Sequence, residues 1–194
     1  MKRITGLILL LFTTAQVFGQ SLPDGQIRWS SNQKLKITDF IIKIGDENSD
    51  AIYSQFMISH SIGGFDFMKR NLNQKIENIF LGNASWIDTT KVTEIQKQIN
   101  FQQMQFDLAE VYARKFRKRI LKDKKKIAKG FDIVNQIHNQ IMSEFSERRL
   151  ALIKETHGGQ NEDKIAEWKN KIAIELKRLQ EFSYENKGKI KLNR

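Results

Sequence analysis

The spacing of hydrophobic positions changes near residue 90. Before it, apolar residues come in short β-prone runs broken by turn residues: Ile27-Arg28-Trp29, Leu35-Lys36-Ile37 and Phe40-Ile41-Ile42-Lys43-Ile44. Gly45-Asp46-Glu47-Asn48-Ser49-Asp50 reads as a loop, and Ala51 to Ile62, rich in Ile, Tyr, Phe and Ser, as one longer strand. Gly63-Gly64 marks a turn across which Phe65-Asp66-Phe67 would pair back. Lys75-Ile76-Glu77-Asn78-Ile79-Phe80 is the last strand, closed by Gly82-Asn83-Ala84-Ser85.

After residue 90 the period becomes helical. Asp88-Thr89-Thr90 offers side-chain oxygens to cap a helix from about Val92 to Leu121. Its apolar residues Ile95, Ile99, Phe106, Ala109, Ala113, Phe116 and Ile120 follow in steps of three and four along one face. The same stepping passes through Gln102, whose amide needs both a donor and an acceptor if buried. Lys122-Asp123-Lys124-Lys125-Lys126 either breaks this helix or continues it. A second helix carries Ile127, Phe131, Val134, Ile137, Ile141, Phe145 and Leu152 and ends at Gly158-Gly159. Asn161 caps a third, with Ile165, Trp168, Ile172, Leu176 and Leu179 on one face, and a basic tail from residue 186 is expected to fray. The fold class is α+β: a small, mainly antiparallel N-terminal sheet followed by three packed helices.

The first residues do not belong to that fold. Lys2 and Arg3, the apolar run Leu7 to Phe12 and the small residue at Val17-Phe18-Gly19 form an export signal over residues 1–19. The apolar run is short for a membrane anchor. The mature chain, beginning at Gln20, is expected to be exported to a periplasm or secreted. It consists of a single domain, residues 20–185, and a basic tail, residues 186–194. The absence of Cys excludes a lipid-anchored Cys, disulfides and thiolate metal ligands. The formal charge of +11 includes Lys2 and Arg3, so the mature chain carries +9.

The stretch Phe101 to Arg117 resembles the central helix of a bacterial family, domain of unknown function 922, described as predicted secreted zinc-dependent proteases. That helix reads His-Glu-Gln-x-His-Phe-Asp-x-x-Glu-x-Tyr-Ala-Arg-x-x-Arg. Gln103, Phe106, Asp107, Glu110, Tyr112, Ala113, Arg114 and Arg117 match it. Trp29, Thr38-Asp39-Phe40, Ser85-Trp86, Thr156, Gly159 and Trp168 resemble further family positions, so the likeness spans most of the mature chain. It implies a zincin-like fold, in which two helical His residues four apart bind zinc and the intervening Glu activates water. Here those positions hold Phe101, Gln102 and Gln105. None of the three supplies an imidazole or a carboxylate. In the second half of the family's site, the Tyr-Asp pair is replaced by Leu152 and Ile153, the His by Gly158, and the Gln before Trp168 by Ile165. His157 lies one residue early; a loop can absorb that slip, but a loop histidine is first expected on the surface.

The resemblance therefore implies an exported, non-catalytic relative of zinc proteases that binds no cofactor and acts by binding in the cell envelope. Its vestigial site would comprise Phe101, Gln102, Gln105, Glu110, Leu152, Ile153, His157 and Gly158. Phe101 should fill the emptied site beside Leu152 or Ile153, with Gln102 hydrogen-bonded nearby. The alternative is a secreted metal-dependent peptidase with a rearranged site, its metal held by His157 and carboxylates such as Glu110. A third class is a purely structural envelope protein. No other catalytic motif stands out: His60, His138 and His157 lack zinc-ligand spacing, and there is no nucleophile elbow or phosphate loop. The remaining feature is a basic run from Arg114 to Lys129 opposed by Asp123 alone. Within it Lys118, Lys122, Lys124, Lys125 and Lys126 are candidate contacts to anionic lipid, envelope polymer or an acidic protein. They equally suit a solvated helix end. Export makes nucleic acid an unsuitable partner.

Overall fold

The computed structural model describes residues 22–192 apart from 129 and 131. The expected leader, residues 1–19, and Phe131 lie outside the described residues. The architecture is α+β, with the strands before the helices. Strands β1 (Gln26–Arg28), β4 (Phe56–His60) and β5 (Ile76–Leu81) form an antiparallel sheet in the order β1-β5-β4. Arg28 and Met57 both flank Ile79. A second sheet has the order β2-β6-β3, from β2 (Ile41–Lys43), β3 (Ile52–Tyr53) and β6 (Trp86–Asp88). Here β2 runs parallel to β6, and β3 antiparallel to it.

The expected single strand from Ala51 to Ile62 is thus two strands in two sheets. The Ser85 hydroxyl causes the break. It accepts the Gln55 N–H at 3.0 Å and donates to Leu81 O at 2.7 Å, which takes Gln55 out of the β3 ladder. Three other expectations also differ. Ile37–Asp39 forms a 3₁₀ turn rather than extending a strand from Leu35, because Asp39 accepts the Lys36 N–H at 2.7 Å. Asp66–Met68 is a 3₁₀ turn, closed by Asp66 accepting the Gly63 N–H at 2.8 Å, and does not pair back. Asp88 does not cap the first helix. Its carboxylate accepts from Thr90 Oγ1 (2.6 Å), Thr90 N, Gly45 N and Asp46 N. These donors, the Thr90 hydroxyl foremost, hold its pKa down at about 2. Asp88 so pins the 45–50 loop to β6, and the helix begins later.

That helix, α1 (Ile95–Ile127), is the axis of the molecule. The lysine-rich segment continues it to Ile127. Burial is not confined to one stripe: Phe101, Met104, Leu108, Val111 and Tyr112 are buried along with Ile99, Phe106, Ala109, Ala113, Phe116 and Ile120. Such a helix is covered on several sides, here by the first sheet, α2 (Asp132–Glu155) and α3 (Glu162–Arg178). Phe106 packs on Phe56 and Phe80 from the sheet, with ring centroids 5.4 and 6.1 Å apart. On the opposite side Tyr112 meets Phe145 of α2 at 5.8 Å.

Behind Phe116 lies a buried ionic hub. Glu110 accepts from Arg114 Nε at 3.0 Å and Arg117 Nη1 at 2.7 Å. Arg114 also donates to Leu176 O, and Arg117 to Ile76 O and Phe182 O. One turn earlier, Asp107 accepts from Trp29 Nε1 at 2.7 Å and from Gln103 Nε2 at 2.8 Å, while Gln103 accepts the Leu35 N–H. These five charged and amide side chains tie α1 to β5, to α3 and to the segment that carries Trp29 and Leu35. The tail is not frayed where it is described. Asn71 donates to Asn186 O and Gly188 O, Asn73 to Asn186 O, and Ile190 N to Arg70 O, leaving Ile190 buried.

Candidate functional site

The turn after α2 brings the two halves of the expected site together. His157, Gly158 and Gly159 all have positive φ (49°, 67° and 91°), and the Thr156 carbonyl accepts the N–H of Gly159, Gln160 and Asn161. Thr156 is buried, its hydroxyl donating to Leu152 O at 2.7 Å. This compact turn lays Gly159 against the ring of Phe101. A Cβ at position 159 would stand 2.7 Å from Phe101 Cγ, so only glycine fits both the backbone and the contact. Asn161 then caps α3 by accepting the Lys164 N–H.

Between the first half of α1, the second half of α2 and β3 lies a cleft of about 390 Å³. Phe101, Gln102, Gln105, Ile153 and Gly158 all line it. Phe101 is 5% exposed. Gln105 Nε2 donates to Gln102 Oε1 at 2.9 Å, and Gln105 Oε1 in turn accepts from Arg149 Nε at 2.8 Å. Arg149 Nη2 donates to Ser54 O at 3.0 Å, so a polar chain runs from α1 through α2 to the sheet side. The three other expected site residues lie elsewhere. Leu152 is fully buried behind the cleft in the core. Glu110 belongs to the ionic hub, where both of its guanidinium partners are structural. His157 is exposed and lines none of the cleft.

A zinc ion does not fit these residues. The ring of Phe101 is without a donor atom, the Gln102 and Gln105 amides are engaged with one another, and the Arg149 cation is hydrogen-bonded into the same chain. A dication there would face the positive charge of Arg149.

Arg149 is the residue that the sequence reading missed. The signal was available. Ile141, Phe145 and Leu152 mark the buried stripe of α2, and Arg148 and Arg149 interrupt it much as Gln102 interrupts that of α1. Arg148 has a carboxylate partner, Glu175 on α3, whose hydrogen bond and then charge raise its pKa. Arg149 does not.

The basic run divides in two. Arg114 and Arg117 are internal. Lys118 and Lys122, with Lys115, Arg119 and Arg178, surround an open groove of about 510 Å³ floored by Ile141 and Leu179, with Glu144 as its carboxylate. Lys115 pairs with Glu175, and Arg119 with Asp123. Lys124, Lys125 and Lys126 lie outside the groove; Lys124 reaches Lys69 O at 3.4 Å and Lys126 pairs with Asp123. No described helix is long and apolar enough to cross a membrane. Comparison with family models, curated proteins and solved structures finds no match to this chain.

Proposed function

We propose that this protein is an exported, non-catalytic relative of zinc-dependent proteases of the domain of unknown function 922 type, acting by binding in the cell envelope. The observation that carries the proposal is the Gln102–Gln105–Arg149 chain, which occupies the place where such relatives would gather their metal and general base. The pattern of matches and departures supports it. The matching residues Gln103, Asp107, Glu110, Arg114 and Arg117 bond one another and reach Leu35, Trp29, Leu176, Ile76 and Phe182, whereas of the departing ones Phe101, Gln102, Gln105, Ile153 and Gly158 line the cleft. On this reading the scaffold is kept, and the cleft retains walls without metal chemistry. The leader-like first residues support export.

Zinc content tests the proposal directly. Purified mature protein, dialysed and measured by elemental analysis, is expected to hold well under one equivalent of zinc. One tightly bound equivalent per chain would overturn the non-catalytic reading in favour of a rearranged metal site.

A further inference from the structure

The cleft encloses a cation without a counter-charge. Both acceptors of Arg149, Gln105 Oε1 and Ser54 O, are neutral. Among the described residues no carboxylate forms an ion pair with it, and Asp50, the carboxylate lining the same cleft, is exposed to solvent. The other buried or half-buried arginines of the described helices all have anionic partners: Arg148 has Glu175, and Arg114 and Arg117 share Glu110. Arg149 lies over the Phe56 ring at 5.1 Å, and burial pushes its pKa down. A guanidinium nevertheless stays charged at physiological pH. Holding it there with neutral acceptors is costly, and an apolar side chain of similar length would fill the space without that cost.

Donor capacity remains in the same place. Arg149 Nη1 and Gln102 Nε2 make no hydrogen bond to a described group; the bonds of these side chains use Arg149 Nε and Nη2 and Gln102 Oε1. Ser54 is 1% exposed, and its hydroxyl has no partner among the described residues. Ile52, Phe101, Leu150 and Ile153 supply apolar wall beside these donors. The volume is that of a small-ligand site, apolar with a few convergent polar groups.

We infer, resting on the non-catalytic reading above, that this cleft binds the carboxylate of a ligand, with Arg149 as the anchoring cation and the Gln102 amide as a second donor. A single planar cation matches one planar monoanion, whereas a phosphate dianion would leave a charge unanswered. The carboxylate can come from a peptide C-terminus or from a small free acid.

The test uses the ¹⁵N-labelled mature protein, observed through the Arg149 Nε–H and the Gln102 and Gln105 side-chain amide signals. The probes are sodium acetate, N-acetyl-alanyl-alanine and the same peptide with an amidated C-terminus. Saturable shifts with a free carboxylate and none with the amide are expected. Saturation by the peptide but not by acetate identifies a C-terminus as the source, and saturation by both identifies the free acid group as sufficient. Leu150 is 65% exposed on the cleft wall, so Leu150→Glu places a competing carboxylate there without disturbing the core. It is expected to weaken binding at least tenfold. The absence of saturation below about 10 mM, equal shifts with acid and amide, or an unaffected Leu150→Glu variant would each overturn the inference. Zinc-free protein that ignores carboxylates overturns this inference alone, while a bound zinc equivalent overturns the reading beneath it.

Discussion

Phe101 stands where the resemblance implies a first metal ligand, and its surroundings make it a packing residue. It is buried against Gly159, whose φ of 91° and lack of Cβ leave room for the ring and nothing more. Phe101→His would exchange that packing for an imidazole whose nitrogens need partners. We expect a loss of ~1.5–3 kcal/mol in urea unfolding. The triple variant Phe101→His, Gln102→Glu, Gln105→His is expected to bind zinc only weakly by calorimetry, because no further imidazole among the described residues lines the cleft and Arg149 remains there. A second residue-scale prediction concerns His60. Its ring meets Phe116 and His138 edge-on, with centroids 5.8 and 5.5 Å apart. Burial, and then the His138 charge, lower its pKa below the usual 6.5. The unfolded chain therefore takes up the proton first as pH falls. Stability present above pH 6.5 is lost below it, down to the depressed folded value. Thermal unfolding between pH 8 and 5 should show that slope, and His60→Phe should flatten it.

At the scale of elements, α1 decides where the basic residues go. Its passage through the core turns Arg114 and Arg117 inward and leaves Lys118 and Lys122 on the rim of the groove facing Arg178. Five cations line that groove, of which Lys115 and Arg119 are paired with Glu175 and Asp123, so Lys118, Lys122 and Arg178 would supply an attraction to an anionic surface that is long-range and screened by salt. If the groove meets an anionic surface in the envelope, Lys118→Glu with Lys122→Glu should abolish low-salt sedimentation with anionic vesicles and leave Tm within about 2 °C, since both side chains are exposed. Reversal of Lys124, Lys125 and Lys126, which lie outside the groove, should have a smaller effect. No sedimentation of the unmutated protein at low salt would leave these lysines a solvated surface.

At the scale of the whole molecule, the C-terminal segment closes the structure. Asn73, itself buried, donates to Glu181 O and Asn186 O, and Ile190 seats beside Arg70. These bonds tie the C-terminal segment to the 70–73 turn, and Arg117 of the Glu110 hub also reaches Phe182 O. Ending the chain after Glu185 removes the Asn186 and Gly188 acceptors and uncovers apolar surface. The cost expected in urea unfolding is ~1–3 kcal/mol. A truncated chain as stable as the full one would show that the segment merely rests on the surface.

The sequence by itself determined the α+β class, the order of elements and the three helices, because these follow from local periodicity, caps and turn residues: Asn161 caps α3, and Gly158-Gly159 ends α2. It also marked Phe101, Gln102, Gln105, Ile153 and Gly158, which the fold assembles in one cleft. Only tertiary structure split the 51–62 run between two sheets, since one hydroxyl from Ser85 captures Gln55, a partner thirty residues away in sequence. Tertiary structure also removed Glu110 and His157 from the site. A carboxylate on a helix has no fixed meaning until its neighbours are placed, and those of Glu110 proved to be two inward-facing arginines. Arg149 was legible as a charge interrupting an apolar stripe, but its want of a counter-charge was not. Pairing depends on which side chains from α1, α2 and the sheet meet in space, and periodicity along one helix does not carry that information.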